Sequence, residues 1–97
     1  AAGSDVDLVY SQMAANDYFR IRTGGASNAG YVELATADDG TEPIYVRQYT
    51  GVFGSLTRTA TLLDGSGNTI FPGSVTVGSH GTIAYNSATG CIELSVA

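Results

Sequence analysis

Hydrophobic and polar side chains alternate along most of this chain with a period of two residues. In the stretch 18–22, Phe19 and Ile21 share one side, and a tyrosine and two arginines share the other. Because successive side chains of a strand point to opposite faces of a sheet, this pattern predicts a half-buried strand. The same alternation predicts strands at 31–36, 44–49 and 56–63. Weaker strand candidates lie at 6–13, 69–71, 75–77, 82–85 and 91–96.

Turn-forming residues separate these stretches. Segments rich in glycine, asparagine and aspartate occupy 24–30, 38–40, 51–54, 64–68 and 86–90. Such residues favour tight turns, and the last two segments lie between short apolar stretches, which predicts hairpin loops. The one helix-compatible stretch, 11–16, is too short to be stable alone. The sequence therefore predicts an all-β chain of short antiparallel strands and hairpins.

The composition leaves little material for a hydrophobic core. The chain has 97 residues, of which 13 are glycine, and large side chains become rare after residue 63. One cysteine excludes an intrachain disulfide and one histidine argues against a zinc site. Association with other copies is the remaining source of stability. We expect an N-terminal segment at 1–14 that is partly a cloning remnant, a compact strand-rich unit at 15–63, and a thin, assembly-dependent β tail at 64–97.

The charge balance argues against two kinds of partner. Four basic residues, all arginine, stand against nine acidic ones, which gives a net charge of −5. Such a chain repels phosphate backbones, so we expect no nucleic-acid partner. It has no basic cluster for an anionic membrane surface, and no apolar run approaches the roughly 18 residues of a membrane span. We expect no membrane insertion.

Three stretches resemble the tail-fibre proteins of tailed bacteriophages, above all long tail fibres of the T-even type and prophage side tail fibres. The first two are EPIYVRQYTG at 42–51 and TRTATLLDGSGNTIFPG at 57–73. The third, GTIAYNSATGCIEL at 81–94, is similar to the strand pair that ends many such fibres. The likeness spans about residues 14–97, so the chain resembles a C-terminal fragment of such a fibre.

The resemblance implies an elongated, intertwined parallel homotrimer in the virion, outside the cell. Its implied function is structural and adhesive: it helps attach the virion to a bacterial surface glycan or outer-membrane protein. We expect no enzymatic activity and no cofactor. The alternative is a monomeric β-sandwich that binds carbohydrate or serves as an adhesin domain in a secreted bacterial protein. The measured mass in solution distinguishes a trimer from a monomer.

The iron-binding motif of T-even fibre tips, Gly-x-His-x-His, is not carried over to this chain. Around the single histidine the sequence is Gly78-Ser79-His80-Gly81, with no second histidine two residues later. We expect no metal site within the chain. Three copies of His80 meeting on a trimer axis are the one arrangement that would make this residue a ligand.

Tyrosine and arginine side chains on two strands are the candidate receptor-binding residues. They are Tyr45, Arg47 and Tyr49 on one strand, supported by Tyr18, Arg20 and Arg22 on another. Aromatic rings stack on sugar faces, and guanidinium groups bind phosphate or carboxylate. The alternative is that these side chains only cover an outer face or pair with acidic neighbours. The loops at 24–30 and 51–54 are alternative receptor sites.

Two further features have a chemical and a structural interpretation. Cys91 is a potential nucleophile, but Ile92 and Leu94 beside it favour a small residue buried in the core. The acidic residues Asp38, Asp39 and Glu42 are potential calcium ligands, and turn formation explains them equally well. We expect a structural role for Cys91 and no catalytic residue.

Overall fold

The computed structural model describes residues 5–96, and all of their regular structure is β. The strands are β1 (Val6–Met13), β2 (Asp17–Gly24), β3 (Tyr31–Ala37), β4 (Ile44–Thr50), β5 (Ser55–Leu63), β6 (Val75–Val77), β7 (Gly81–Asn86) and β8 (Cys91–Val96). Every pairing is antiparallel, so the all-β antiparallel prediction is confirmed. None of residues 5–96 lies in a helix that would be long and apolar enough to cross a membrane. Residues 1–4, the start of the N-terminal segment expected at 1–14, lie outside this described range.

The strands form three separate sheets in chain order. Sheet A contains β1, β2 and β3, sheet B contains β4 and β5, and sheet C contains β6, β7 and β8. The strand β1 pairs with β2 along its length, so residues 6–13 belong to sheet A. The stretch 69–71 forms no strand: Ile70 makes a single bridge with Thr61, with both N···O distances at 2.8 Å. Pro72 follows at once, and a residue without an N–H cannot continue the ladder.

The predicted hairpin loop 86–90 is confirmed, since it joins β7 to β8, whereas the loop 64–68 is followed only by the bridge between Ile70 and Thr61. In the loop 64–68, the Asp64 carboxylate accepts backbone N–H bonds from Ser66 at 2.8 Å and from Asn68 at 2.9 Å. The backbone hydrogen bond from Asn68, and to a smaller extent the one from Ser66, holds the pKa of Asp64 below its usual value. In the loop 86–90, the Gly90 N–H donates to the Asn86 carbonyl at 2.8 Å. Asp64 therefore closes the first loop as an ionised acceptor.

Replacing Asp64 by asparagine tests this role. A carboxylate with a lowered pKa stabilises the folded state above the unfolded pKa of about 3.9, and that stabilisation is lost as the pH falls through the folded pKa. The asparagine amide oxygen can accept the same N–H bonds but does not titrate. We expect Asp64→Asn to lose less melting temperature than wild type between pH 5 and pH 2, as thermal unfolding would measure. An equal loss in both proteins would show that the carboxylate charge does not contribute.

No apolar side chain is buried among residues 5–96, and the one buried residue is Thr61, at 8% exposure. The radius of gyration is 18.0 Å, against about 13 Å for a compact domain of this length. The substantial contacts between strands lie within sheets, so no two of the three sheets pack face to face in this part of the chain. A β-sandwich requires two stacked sheets with a shared core about 10 Å thick. The fold therefore does not support the sandwich alternative.

Candidate functional site

The hairpin of sheet B carries Tyr45, Arg47 and Tyr49 on one face of β4, as the alternation predicts. The Arg47 guanidinium carbon lies 4.1 Å from the centroid of the Tyr45 ring, which is a cation–π contact. The Arg47 Nε also donates to the Thr59 hydroxyl at 3.2 Å on the neighbouring strand. All three predicted side chains remain exposed to solvent. Together they form one ordered, accessible surface of aromatic and cationic groups.

The tip of the same hairpin is the loop 51–54, one of the alternative receptor sites, and its two apolar residues were not singled out individually. Val52 and Phe53 are 94% and 80% exposed. The Phe53 ring meets the Tyr49 ring edge to face at 5.6 Å, which extends the aromatic surface to the turn. Phe53 also has a φ of 52°, an uncommon and strained conformation for a bulky residue. In the sequence, the feature that points to these two residues is an apolar pair between Gly51 and Gly54, where a turn is expected.

Tyr18, Arg20 and Arg22 lie in sheet A, so the second candidate set belongs to a different sheet from the first. The Arg20 Nε donates to Glu33 Oε1 at 2.7 Å, and the Arg22 Nε donates to an Asp7 carboxylate oxygen. The hydrogen bond from Arg22 lowers the pKa of Asp7, so this pair stays ionised at neutral pH.

Both guanidinium groups of sheet A are thus occupied by partners on the neighbouring strands. Arg20 and Arg22 thus pair with acidic neighbours, as the alternative interpretation expects, and their receptor role stays a prediction. Neither offers an unpaired charge to a phosphate or carboxylate ligand. In sheet B, by contrast, the Arg47 guanidinium contacts the Tyr45 ring and the Thr59 hydroxyl, neither of which is charged. Of the predicted candidates, Arg47 is the better placed for an anionic ligand.

A shallow cleft lies on the polar face of sheet A. The Tyr10 and Tyr18 rings stand 6.2 Å apart, and both line the cleft together with the Arg20–Glu33 pair. Ala35 and Ala37 pair with Arg20 and Tyr18, and their small side chains leave a volume of about 420 Å³ open.

No role was predicted for Tyr10 from the sequence. A register shift between Asp7 and Val9 puts Tyr10 opposite Arg20, and only the pairing of β1 with β2 reveals it.

Sheet C carries all of its large apolar side chains on one side. Register places seven apolar side chains, here called the apolar face of sheet C, on one side: Val75, Val77, Ile83, Tyr85, Ile92, Leu94 and Val96. The other side carries Thr76, Thr82, Ala84, Asn86, Cys91, Glu93 and Ser95. Nothing in residues 5–96 covers the apolar face: Val96 is 88% exposed, and Ile83, the central residue, is 38% exposed.

The expectation that Cys91 is a buried core residue is wrong for the single chain. Cys91 is exposed, and alternation places its side chain on the other face of the sheet from Ile92 and Leu94. Its thiol lies 3.6 Å from the Thr89 carbonyl. The apolar neighbours in sequence therefore belong to the other face of β8.

The corrected position changes the expected effect of a Cys91→Ala substitution. A core position would cost about 1–2 kcal/mol in lost packing. At an exposed position we expect the free energy of unfolding to change by less than about 0.5 kcal/mol. Chemical denaturation of the two proteins at equal concentration measures the difference. A decrease of more than about 1.5 kcal/mol in the free energy of unfolding would show that the Cys91 side chain is packed against other groups after all.

The potential metal ligands lie together beside the turn that follows β3. Asp17 joins Asp38, Asp39 and Glu42 with ligand atoms within 4.8 Å of one another. The Glu42 carboxylate accepts the N–H groups of Asp39 and Gly40, both at 3.1 Å, so it already closes a turn. The negative charge of Asp38 raises the pKa of Asp39. Turn formation therefore accounts for the position of Glu42 within this cluster.

His80 lies exposed in the turn between β6 and β7. The metal-ligand group found among residues 5–96 does not include it. Two surfaces are therefore the candidates for contact with other molecules. One is the face of the sheet B hairpin that carries Tyr45, Arg47 and Tyr49, here called its aromatic face, and the other is the apolar face of sheet C. Comparisons with protein-family models, with curated proteins and with solved structures find no match to this chain.

Proposed function

We propose that this chain is a structural and adhesive module of a homotrimeric phage tail fibre, which helps attach the virion to a bacterial surface. The observation that carries the proposal is the absence of any buried apolar side chain among residues 5–96, although these residues form eight ordered strands. Ordering a chain costs conformational entropy that apolar burial normally offsets. The small apolar burial therefore supports a chain that is a subunit of a larger assembly.

The exposed surface area of the chain is larger than that of a compact monomer of the same mass. The chain exposes 7248 Å², whereas size scaling gives roughly 5,200 Å² for a compact monomer of this mass. The excess of roughly 2,000 Å² per chain is within the range that permanent interfaces bury. Apolar side chains contribute to it in all three sheets, for example Val32 in β3, Val46 in β4 and Leu94 in β8.

The resemblance of 42–51, 57–73 and 81–94 to tail fibres supports a tail fibre as the proposed assembly. In such a fibre the threefold partners are copies of the same chain, and the location is the virion, outside the cell. The elongated outline, 51 by 37 by 29 Å for one chain, suits a fibre better than a globular domain. The monomeric adhesin alternative would need a core of its own.

Sedimentation equilibrium tests the assembly. We expect a mass of three times the 9.9 kDa of one chain at micromolar concentration. We also expect hydrogen exchange to show that the amides of 64–97 are protected only under conditions where the trimer persists. A folded monomer with those amides protected would overturn the proposal.

The adhesive part of the proposal assigns receptor contact to the aromatic face of the sheet B hairpin. We expect the double substitution Tyr45→Ala and Arg47→Ala to weaken adsorption to host cells at least tenfold while the trimer persists, because it removes a stacked aromatic–guanidinium pair. Arg58→Ala is the matched control, since Arg58 pairs with Gln48 away from that face. Unchanged adsorption by the double variant would move the contact to the loops 24–30 and 51–54 or out of this segment.

A further inference from the structure

We infer that the apolar face of sheet C is the surface on which three copies of this chain meet, with the face carrying Cys91 and Glu93 turned to solvent. The inference rests on the proposed assembly and specifies which side of the 75–96 sheet lies inside it. Neither the resemblance nor the composition distinguishes the two sides. The strand register does.

The separation between the two sides extends across all three strands. The middle row of the apolar face runs from Val75 through Ile83 to Leu94. The next row pairs Thr76, Thr82 and Ser95, which point the other way. A solvated sheet normally has one packed face, and the packed face is the apolar one. Among residues 5–96, the apolar face of sheet C has no such cover.

The charge pattern favours another copy of the chain as the occupant. The chain carries nine carboxylates, and none of them lies on the apolar face of sheet C. In a parallel rotational assembly, identical residues of different copies approach the same axis, and like charges there would repel. The acidic residue nearest in sequence, Glu93, lies on the opposite face, where its carboxylate accepts a hydrogen bond from Asn86 at 2.7 Å. The apolar face can therefore meet itself without repulsion.

The area to be covered also fits this occupant. The side chains of β8 are the most exposed of the face, with Leu94 at 79%. The excess surface of roughly 2,000 Å² per chain exceeds the roughly 800 Å² that each partner buries in a standard interface. Self-association through this face would cover part of that excess. The opposite face then carries hydroxyl, amide and carboxylate groups that water can solvate.

The reactivity of single thiols distinguishes the two faces. In a Cys91→Ser background, Leu94→Cys places one thiol on the apolar face, and Ser95→Cys, one residue later, places one on the polar face. We expect the Leu94→Cys thiol to react with a maleimide at least tenfold more slowly than the Ser95→Cys thiol. On mild oxidation by copper phenanthroline, Leu94→Cys should form disulfide-linked pairs of chains. The native Cys91 thiol should react as fast as that of Ser95→Cys.

Mass measurements on the same samples separate the outcomes. Equal thiol reactivity in two trimeric variants overturns the assignment of the face and leaves the proposed trimer intact. If wild type sediments as a folded monomer, the proposed function and this inference fail together. If only Leu94→Cys falls apart while Ser95→Cys remains trimeric, the interface lies on the apolar face. Val77→Cys repeats the test from β6, and rapid labelling there in a trimer overturns the assignment for that strand.

Discussion

Replacing Leu94 by glutamate is expected to convert the trimer into monomers at concentrations where the wild-type protein is fully assembled. Leu94 lies in the middle row of the apolar face, opposite Ile83. In the proposed assembly, the substitution brings three carboxylates into an apolar environment around one axis. The effective cost is several kcal/mol for each buried ion, and the three charges also repel one another. Sedimentation velocity at 10–50 µM, at pH 7, measures the change directly.

The matched control is Ser95→Glu. It adds the same charge to the next residue of β8, on the solvated face beside Thr82. We expect this variant to remain trimeric, with a melting temperature within a few degrees of wild type, because exposed substitutions rarely change stability by more than about 0.5 kcal/mol. A trimeric Leu94→Glu protein with wild-type melting behaviour would contradict the interface.

Replacing Gly25 by alanine is expected to have the second-largest effect, because it disrupts the loop that joins β2 to β3. Gly25 has a φ of 104°, and a Cβ atom there would lie 2.1 Å from the Ala29 carbonyl oxygen. Both the left-handed backbone and the clash with a backbone atom penalise any side chain. We expect a loss of about 3 kcal/mol or more in the free energy of unfolding.

The control for this prediction lies in the same loop. At Gly30 the nearest atom to an added Cβ is the Gly24 carbonyl oxygen, at 3.8 Å, an ordinary contact distance. Gly30→Ala should therefore change stability by less than about 1 kcal/mol. Denaturation must be compared at equal protein concentration, since the stability of an assembled protein depends on it. Equal stability of the two variants would show that the loop rearranges freely around residue 25.

The outcome for Cys91 shows how a sequence pattern can be misinterpreted. Its apolar neighbours suggested a buried position, but in a strand the immediate neighbours always lie on the other face. The relevant comparison was with Glu93 and Ser95, two and four residues later, and both are polar. Strict use of the two-residue period would have placed Cys91 correctly. The position of Tyr10 was different, because a register shift in β1 decided it.

The sequence by itself determined the strands, most of the turns and the two sides of each strand. Side-chain direction along a strand depends only on local backbone geometry, so the alternation of Phe19 and Ile21 with arginine, or of Val75 and Val77 with threonine, is enough. Glycine, asparagine and aspartate acted locally in the same way in the loops 64–68 and 86–90. These features need no information about distant residues.

Only the tertiary structure decided which strands pair and in which register. Pairing depends on residues far apart in the chain: Arg20 meets Glu33, Arg22 meets Asp7, and each arginine thereby has a carboxylate partner. The division into three sheets separated Tyr18 from Tyr45, and the turn conformation exposed Phe53. The uncovered apolar face of sheet C also emerged only when β6, β7 and β8 were aligned. A pattern of period two assigns residues to faces, but only the pairing of strands determines what each face contacts.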